Sequence, residues 1–123
     1  MSKPKILYVD DENINLLLFK ANLQNRYDVL TAISVEDALE KIGSNPDIRI
    51  VFSDMRMPGM NGIEFFRKVR PLLPEVHFYI LTGFDITHEI KQALEEGLIR
   101  EYIKKPFHYS RINAEIEASI KVS

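Results

Sequence analysis

The chain has 123 residues, of which 46% are hydrophobic and none is cysteine, and 16 Lys/Arg stand against 18 Asp/Glu for a formal charge of −2. That size and apolar content suit one domain, residues 1–123, with a core of its own. The lack of cysteine excludes a disulfide framework and any thiolate metal site and points to a reducing compartment, the cytoplasm. Charges of both signs are interspersed, so no basic footprint for direct nucleic-acid binding is present; the run Ile6-Leu7-Tyr8-Val9 is too short for a signal peptide, and no later stretch is long enough for a membrane span.

Lys5 to Asp10 is a short apolar block of strand formers, and Asn13 to Gln24 sets Leu16/Leu17, Phe19/Lys20 and Leu23 at helical spacing. Tyr27 to Ala32 reads as a second strand; Ser34-Val35-Glu36-Asp37 has the form of a capping box opening a helix that Gly43 ends. A third strand, Ile48 to Ser53, runs into Asp54, and Asn61 caps a helix from Gly62 to Arg70 that Pro71 stops. The fourth strand is Val76 to Thr82. Asp85 or Thr87 caps the next helix, which passes through Ile90, Ala93 and Leu94 to Gly97, a glycine placed for a left-handed C-terminal turn. Glu101 to Lys104 forms a fifth strand ahead of Pro106, and the last helix carries Ile112, Ile116 and Ile120 on one face.

Strict strand-helix alternation with continuously apolar strands predicts an α/β fold, a parallel sheet covered by helices on both faces. In such sheets functional groups gather beyond the carboxyl ends of the strands. Asp10 and Asp11 follow the first strand, Asp54 the third, Thr82 the fourth and Lys105 the fifth. Three converging carboxylates repel one another unless a cation sits among them, and an all-oxygen set suits Mg²⁺ better than zinc. Each residue also has a plainer reading: Asp10-Asp11 complements a helix dipole, Asp54 starts a turn, Thr82 ends a strand and Lys105 is a solvated charge. A carboxylate can, however, take a phosphoryl group as an acyl phosphate when a metal and cations neutralise the phosphoryl oxygens; Lys105 is such a cation and Thr82 a hydroxyl donor.

The tandem Asp10-Asp11, the run SDMRMPGMNG around Asp54, LTG ending in Gly83 and YIKKPF around Lys105 resemble the response-regulator receiver domain of two-component signalling, over essentially the whole chain. The resemblance implies a flavodoxin-like (βα)5 fold, doubly wound, with five parallel strands in the order 2-1-3-4-5. It implies that Asp54 is the phosphoacceptor and that Asp11, Asp54 and the backbone carbonyl of Arg56 bind Mg²⁺ (or Mn²⁺) directly, with Asp10 acting through water. Lys105, and not Lys104, is the stabilising cation, because it precedes Pro106 across a bond that is commonly cis in the family, and because neighbouring strand residues face opposite ways. Thr82 and Tyr102 are implied as switch residues whose movement alters the surface of the fourth helix, fifth strand and fifth helix.

The implied partners are a histidine kinase or histidine phosphotransfer protein upstream and a downstream protein or output domain, with a phosphorylation-dependent homodimer as a further form. Arg56 and Phe84 stand two residues beyond Asp54 and Thr82, where the family tunes attack by water, so bulky Phe84 predicts slow dephosphorylation. The stretch Gly97-Leu98-Ile99-Arg100-Glu101-Tyr102 is one residue longer than common in the family and looks like a subgroup found in hybrid kinases and in regulators with phosphodiesterase outputs. The rival enzyme reading, a phosphohydrolase of the haloacid dehalogenase type, wants Asp-x-Asp after the first strand, whereas Asp10 and Asp11 are adjacent. A degenerate receiver acting as a scaffold is disfavoured by the complete set of five site residues. The initial Met1 and the short tail favour a stand-alone chain.

Overall fold

The computed structural model describes residues 3–121; Met1 and the tail after Lys121, which carry the stand-alone expectation, lie outside them. The elements alternate as β1 (Lys5–Val9), α1 (Asn13–Leu23), β2 (Asp28–Ala32), α2 (Val35–Ser44), β3 (Ile48–Asp54), α3 (Gly62–Val69), β4 (His77–Thr82), α4 (His88–Glu95), β5 (Glu101–Lys104) and α5 (Tyr109–Lys121). All five strands are parallel, in the order β2-β1-β3-β4-β5, the flavodoxin-like arrangement that the motifs imply. Among the described residues no helix is long and apolar enough to cross a membrane.

The strands read as continuously apolar because both faces of the sheet are covered. On one face Ile6, Tyr8, Phe52, Tyr79, Leu81 and Ile103 pack with Leu16, Phe19 and Leu23 of α1 and Ile112 and Ile116 of α5. On the other, Leu7, Val9, Val51, Phe78 and Ile80 pack with the apolar stripes of α2, α3 and α4. Strand alternation would put Ile48 and Ile50 on the same face, yet they join opposite cores. The cause is a register shift against β1, where Lys5 faces Ile48 but Ile6 faces Ile50, leaving Arg49 as the extra residue.

Local chemistry sets the helix ends, with two departures from the sequence reading and one choice that it left open. Gly43 does not end α2: it has no left-handed φ, and the helix runs on to Ser44, where the Asn45 side chain donates to the Lys41 carbonyl. Ser34 caps α2 by accepting from the Asp37 amide, but the Asp37 carboxylate reaches past it to the Ile33 amide, so the reciprocal half of a capping box is displaced by one residue. A complete box occurs instead at α3, where Asn61 and Glu64 exchange 2.9 Å bonds. Thr87, not Asp85, caps α4, because the Asp85 carboxylate is engaged by Lys104. Gly97 behaves as its position predicts: its φ is +77°, and the Leu98 and Gly97 amides close back on the Ala93 and Leu94 carbonyls as a Schellman turn.

Candidate functional site

The sheet order brings the carboxyl ends of β1, β3, β4 and β5 side by side. Carboxylate oxygens of Asp10, Asp11 and Asp54 all lie within 4.8 Å of one another. Asp10 is fully buried, Asp54 half-buried and Asp11 exposed. The Lys105 ammonium lies between β1 and β3, 3.4 Å from Asp10 Oδ2 and 3.4 Å from Asp54 Oδ1. Of the sequence-predicted residues, then, Asp10, Asp11, Asp54 and Lys105 come together as one cluster.

A buried carboxylate needs hydrogen-bond donors to offset its lost hydration. Asp10 Oδ1 accepts from the Glu12 amide at 2.9 Å, and its Oδ2 from Asn15 Nδ2 at 3.1 Å and from the Tyr8 hydroxyl. Tyr8 can only donate: burial, then the hydrogen bond to Asp10 and its charge, push the phenol far above its ordinary range, so it stays neutral. Asp54 is also raised above the ordinary carboxylate value, first by burial and then by the Asp10 charge, with Lys105 opposing both. Such a half-neutralised oxygen cluster fits a hard divalent cation, which would relieve the repulsion that Lys105 alone leaves.

Thr82, at the end of β4, is buried; its hydroxyl accepts from the Phe84 amide at 3.2 Å and its carbonyl from the Lys105 amide at 2.7 Å. Lys104, opposite Thr82 in the ladder, is exposed and pairs with Asp85 at 2.5 Å, so the two adjacent lysines diverge. The peptide bond between Lys105 and Pro106 is cis. Tyr102, opposite Ile80, is half-buried against the core on the α2–α4 face, away from the aspartates. The Arg56 guanidinium rests 3.9 Å from the centre of the Phe84 ring, joining the loops after β3 and β4 over exposed side chains.

Two participants are not evident from the motifs, and a third, the glycine that closes the run around Asp54, makes a contact that the run does not reveal. Tyr8 and Asn15 supply donors to Asp10; the sequence signal is a hydroxyl two residues before Asp10, on the same side of an otherwise aliphatic strand, and an amide in the first turn of α1. Gly62 opens α3 so tightly against β3 that a Cβ there would lie 2.6 Å from the Asp54 carbonyl oxygen. That contact has no local sequence signature.

Comparison with known proteins agrees with this geometry. The family model described as the response regulator receiver domain matches residues 6–117. The hydrogenase transcriptional regulatory protein HoxA of Cupriavidus necator is 31% identical over 102 residues, 83% of this chain; the chain spans 21% of that relative's length. The crystal structure of an adenylate cyclase from Rhodopirellula baltica is similar with a TM-score of 0.91 and 35% identity, over 97% of this chain and 88% of that one. A response regulator receiver domain protein from Clostridium thermocellum is similar with a TM-score of 0.89 and 32% identity, over 96% and 94%.

Proposed function

Because the chain belongs to the response regulator receiver family, whose members are switches of two-component signalling and not turnover enzymes, we propose that it accepts a phosphoryl group on Asp54 and relays that state to a partner. The observation that carries this reading is the convergence of three carboxylates within 4.8 Å around Asp54, with the Lys105 ammonium 3.4 Å from two of them. In the transfer, an Asp54 carboxylate oxygen forms the O–P bond while the N–P bond of a phosphohistidine on a histidine kinase or histidine phosphotransfer protein breaks, its electron pair returning to the ring nitrogen. Lys105 holds positive charge against the phosphoryl oxygens. Asp11, Asp54 and the Arg56 backbone carbonyl would hold Mg²⁺, or Mn²⁺ in its place, with Asp10 contributing through water; bound there, the ion offsets the charge of the carboxylates and the phosphoryl group.

The switch follows from Thr82. Its hydroxyl is held by the Phe84 amide, and a phosphoryl oxygen on Asp54 offers it a stronger, charged partner. Thr82 turning inward frees space for Tyr102, which shifts the packing of α4, β5 and α5 and biases a pre-existing equilibrium. A downstream protein, an output domain or a second copy of the chain reads that surface, in the cytoplasm and without direct contact to nucleic acid or membrane. Arg56 and Phe84, stacked beside the acyl phosphate, slow its hydrolysis.

The test is intact-protein and peptide mass spectrometry after treatment with acetyl phosphate and Mg²⁺, with size-exclusion chromatography and light scattering in beryllofluoride. The phosphoryl group is expected on Asp54 and absent from Asp54→Asn. Finding it on Asp10 favours the phosphohydrolase reading, and an oligomeric change that persists in Asp54→Asn refutes the switch.

A further inference from the structure

We propose that Tyr8 and Asn15 are positioning residues of this site, acting through Asp10 to set where the Lys105 ammonium rests; the inference builds on phosphoryl transfer to Asp54. Asp10 is fully buried, and its Oδ2 receives three donors: the Tyr8 hydroxyl, Asn15 Nδ2 at 3.1 Å and Lys105 Nζ at 3.4 Å. Lys105 is equally far, 3.4 Å, from Asp54 Oδ1. Charge-assisted hydrogen bonds close to roughly 2.7–2.9 Å when the partners are committed, so the ammonium is shared by the two carboxylates and held fully by neither.

Packing does not fix that position. The Lys105 side chain is 25% exposed and borders a cavity of about 240 Å³, lined also by Tyr8, Asn15, Pro106, Phe107 and Tyr109. The Tyr8 ring, by contrast, is 2% exposed and lies 4.4 Å from the Phe19 ring, so the core aims its hydroxyl. Asn15 is carried on α1, whose buried face includes Leu16 and Phe19. Two neutral donors fixed by the fold thus satisfy most of Asp10 Oδ2 and leave the partly exposed Lys105 ammonium free to serve Asp54. Without either donor, Asp10 replaces it with the partner that can move, and Lys105 is drawn from Asp54.

The experiment measures the initial rate of Asp54 phosphorylation from acetyl phosphate and Mg²⁺ for Tyr8→Phe and Asn15→Leu, each in the native and the Lys105→Ala background, with thermal melting alongside. Each substitution is expected to slow the native chain roughly tenfold, the scale of one lost hydrogen bond to a charged group. In the Lys105→Ala background the same changes are expected to alter the residual rate by less than about twofold, because the group through which they act is gone. Equal losses in both backgrounds, or no loss in the native one, overturn the proposal. If Tyr8→Phe does not fold, Asn15→Leu, on the half-buried side of a surface helix, decides alone. A native chain that takes no phosphoryl group on Asp54 overturns the function and this inference together; a native chain that does, with Tyr8→Phe and Asn15→Leu as fast, overturns this inference only.

Discussion

Replacing Gly62 by alanine puts a Cβ 2.6 Å from the Asp54 carbonyl oxygen, 2.7 Å from Ile80 Cδ1 and 3.2 Å from Ser53 Oγ. Ordinary contact begins at 3.4 Å, so the nearest neighbours are about 0.8 Å too close. Neither yields easily: one is backbone at the end of β3, and the other belongs to a fully buried side chain in β4. The start of α3 must therefore move outward, straining the 2.9 Å bond from the Gly62 amide to the Met55 carbonyl and the capping box at Asn61 and Glu64. Overpacking of this kind costs about 1–3 kcal/mol, which for a chain of this size lowers the melting temperature by roughly 4–12 °C. Because the displaced start of α3 is tied through the Met55 carbonyl to the residue after Asp54, the rate of phosphorylation falls as well. Gly43→Ala is the control: nothing lies within 4 Å of its Cβ on exposed α2, and alanine there stabilises by up to about 1 kcal/mol. Calorimetric or circular-dichroism melts read both variants, and a Gly62→Ala chain melting within about 2 °C of the native one refutes the tight-contact argument.

Asp54 titrates above the ordinary 3.8 because it is buried, so its contribution to stability is present below 3.8 and lost as pH rises through the folded value. In metal-free buffer Asp54→Asn should melt above the native chain at neutral pH, with the gap closing as pH falls toward 3.8; a gap that widens on acidification contradicts the assignment. Lys104→Ala, which removes only an exposed partner of Asp85, should leave the acetyl phosphate reaction near native speed, whereas Lys105→Ala should slow it severely, and equal effects would show that the wrong lysine was assigned. Phe84→Ala, which removes the ring under the Arg56 guanidinium, should hasten loss of the phosphoryl group, measured by mass spectrometry after removal of the donor. Decay of the native acyl phosphate within seconds, unchanged by that substitution, would contradict a shielding role.

The fold was largely legible in the sequence because its determinants are local. Periodicity marked all five strands and helices, and Asn61, Thr87 and Gly97 announced their caps with side chains or backbone freedom needed within three residues. Gly43 misled because an exposed glycine is merely tolerated in a helix, and the choice between Asp85 and Thr87 stayed open because only the fold brings Lys104, 19 residues away, to the Asp85 carboxylate. The register shift at Arg49 is invisible locally, since it arises from pairing with β1.

At the site, sequence by itself determined which side chains end the strands: Asp10, Asp11, Asp54, Thr82 and Lys105 are readable because each terminates an apolar run. Tertiary structure alone decided how they lie toward one another. Lys105 meets Asp10 across 95 residues, Tyr8 and Asn15 converge on one oxygen of Asp10, Arg56 lies over Phe84, and Gly62 abuts the Asp54 carbonyl. The physical reason is the parallel sheet. Each strand end is specified by its own neighbours, but the few ångströms between one end and the next, and hence which charges share a proton donor or a cation, exist only once the order β2-β1-β3-β4-β5 has laid them side by side.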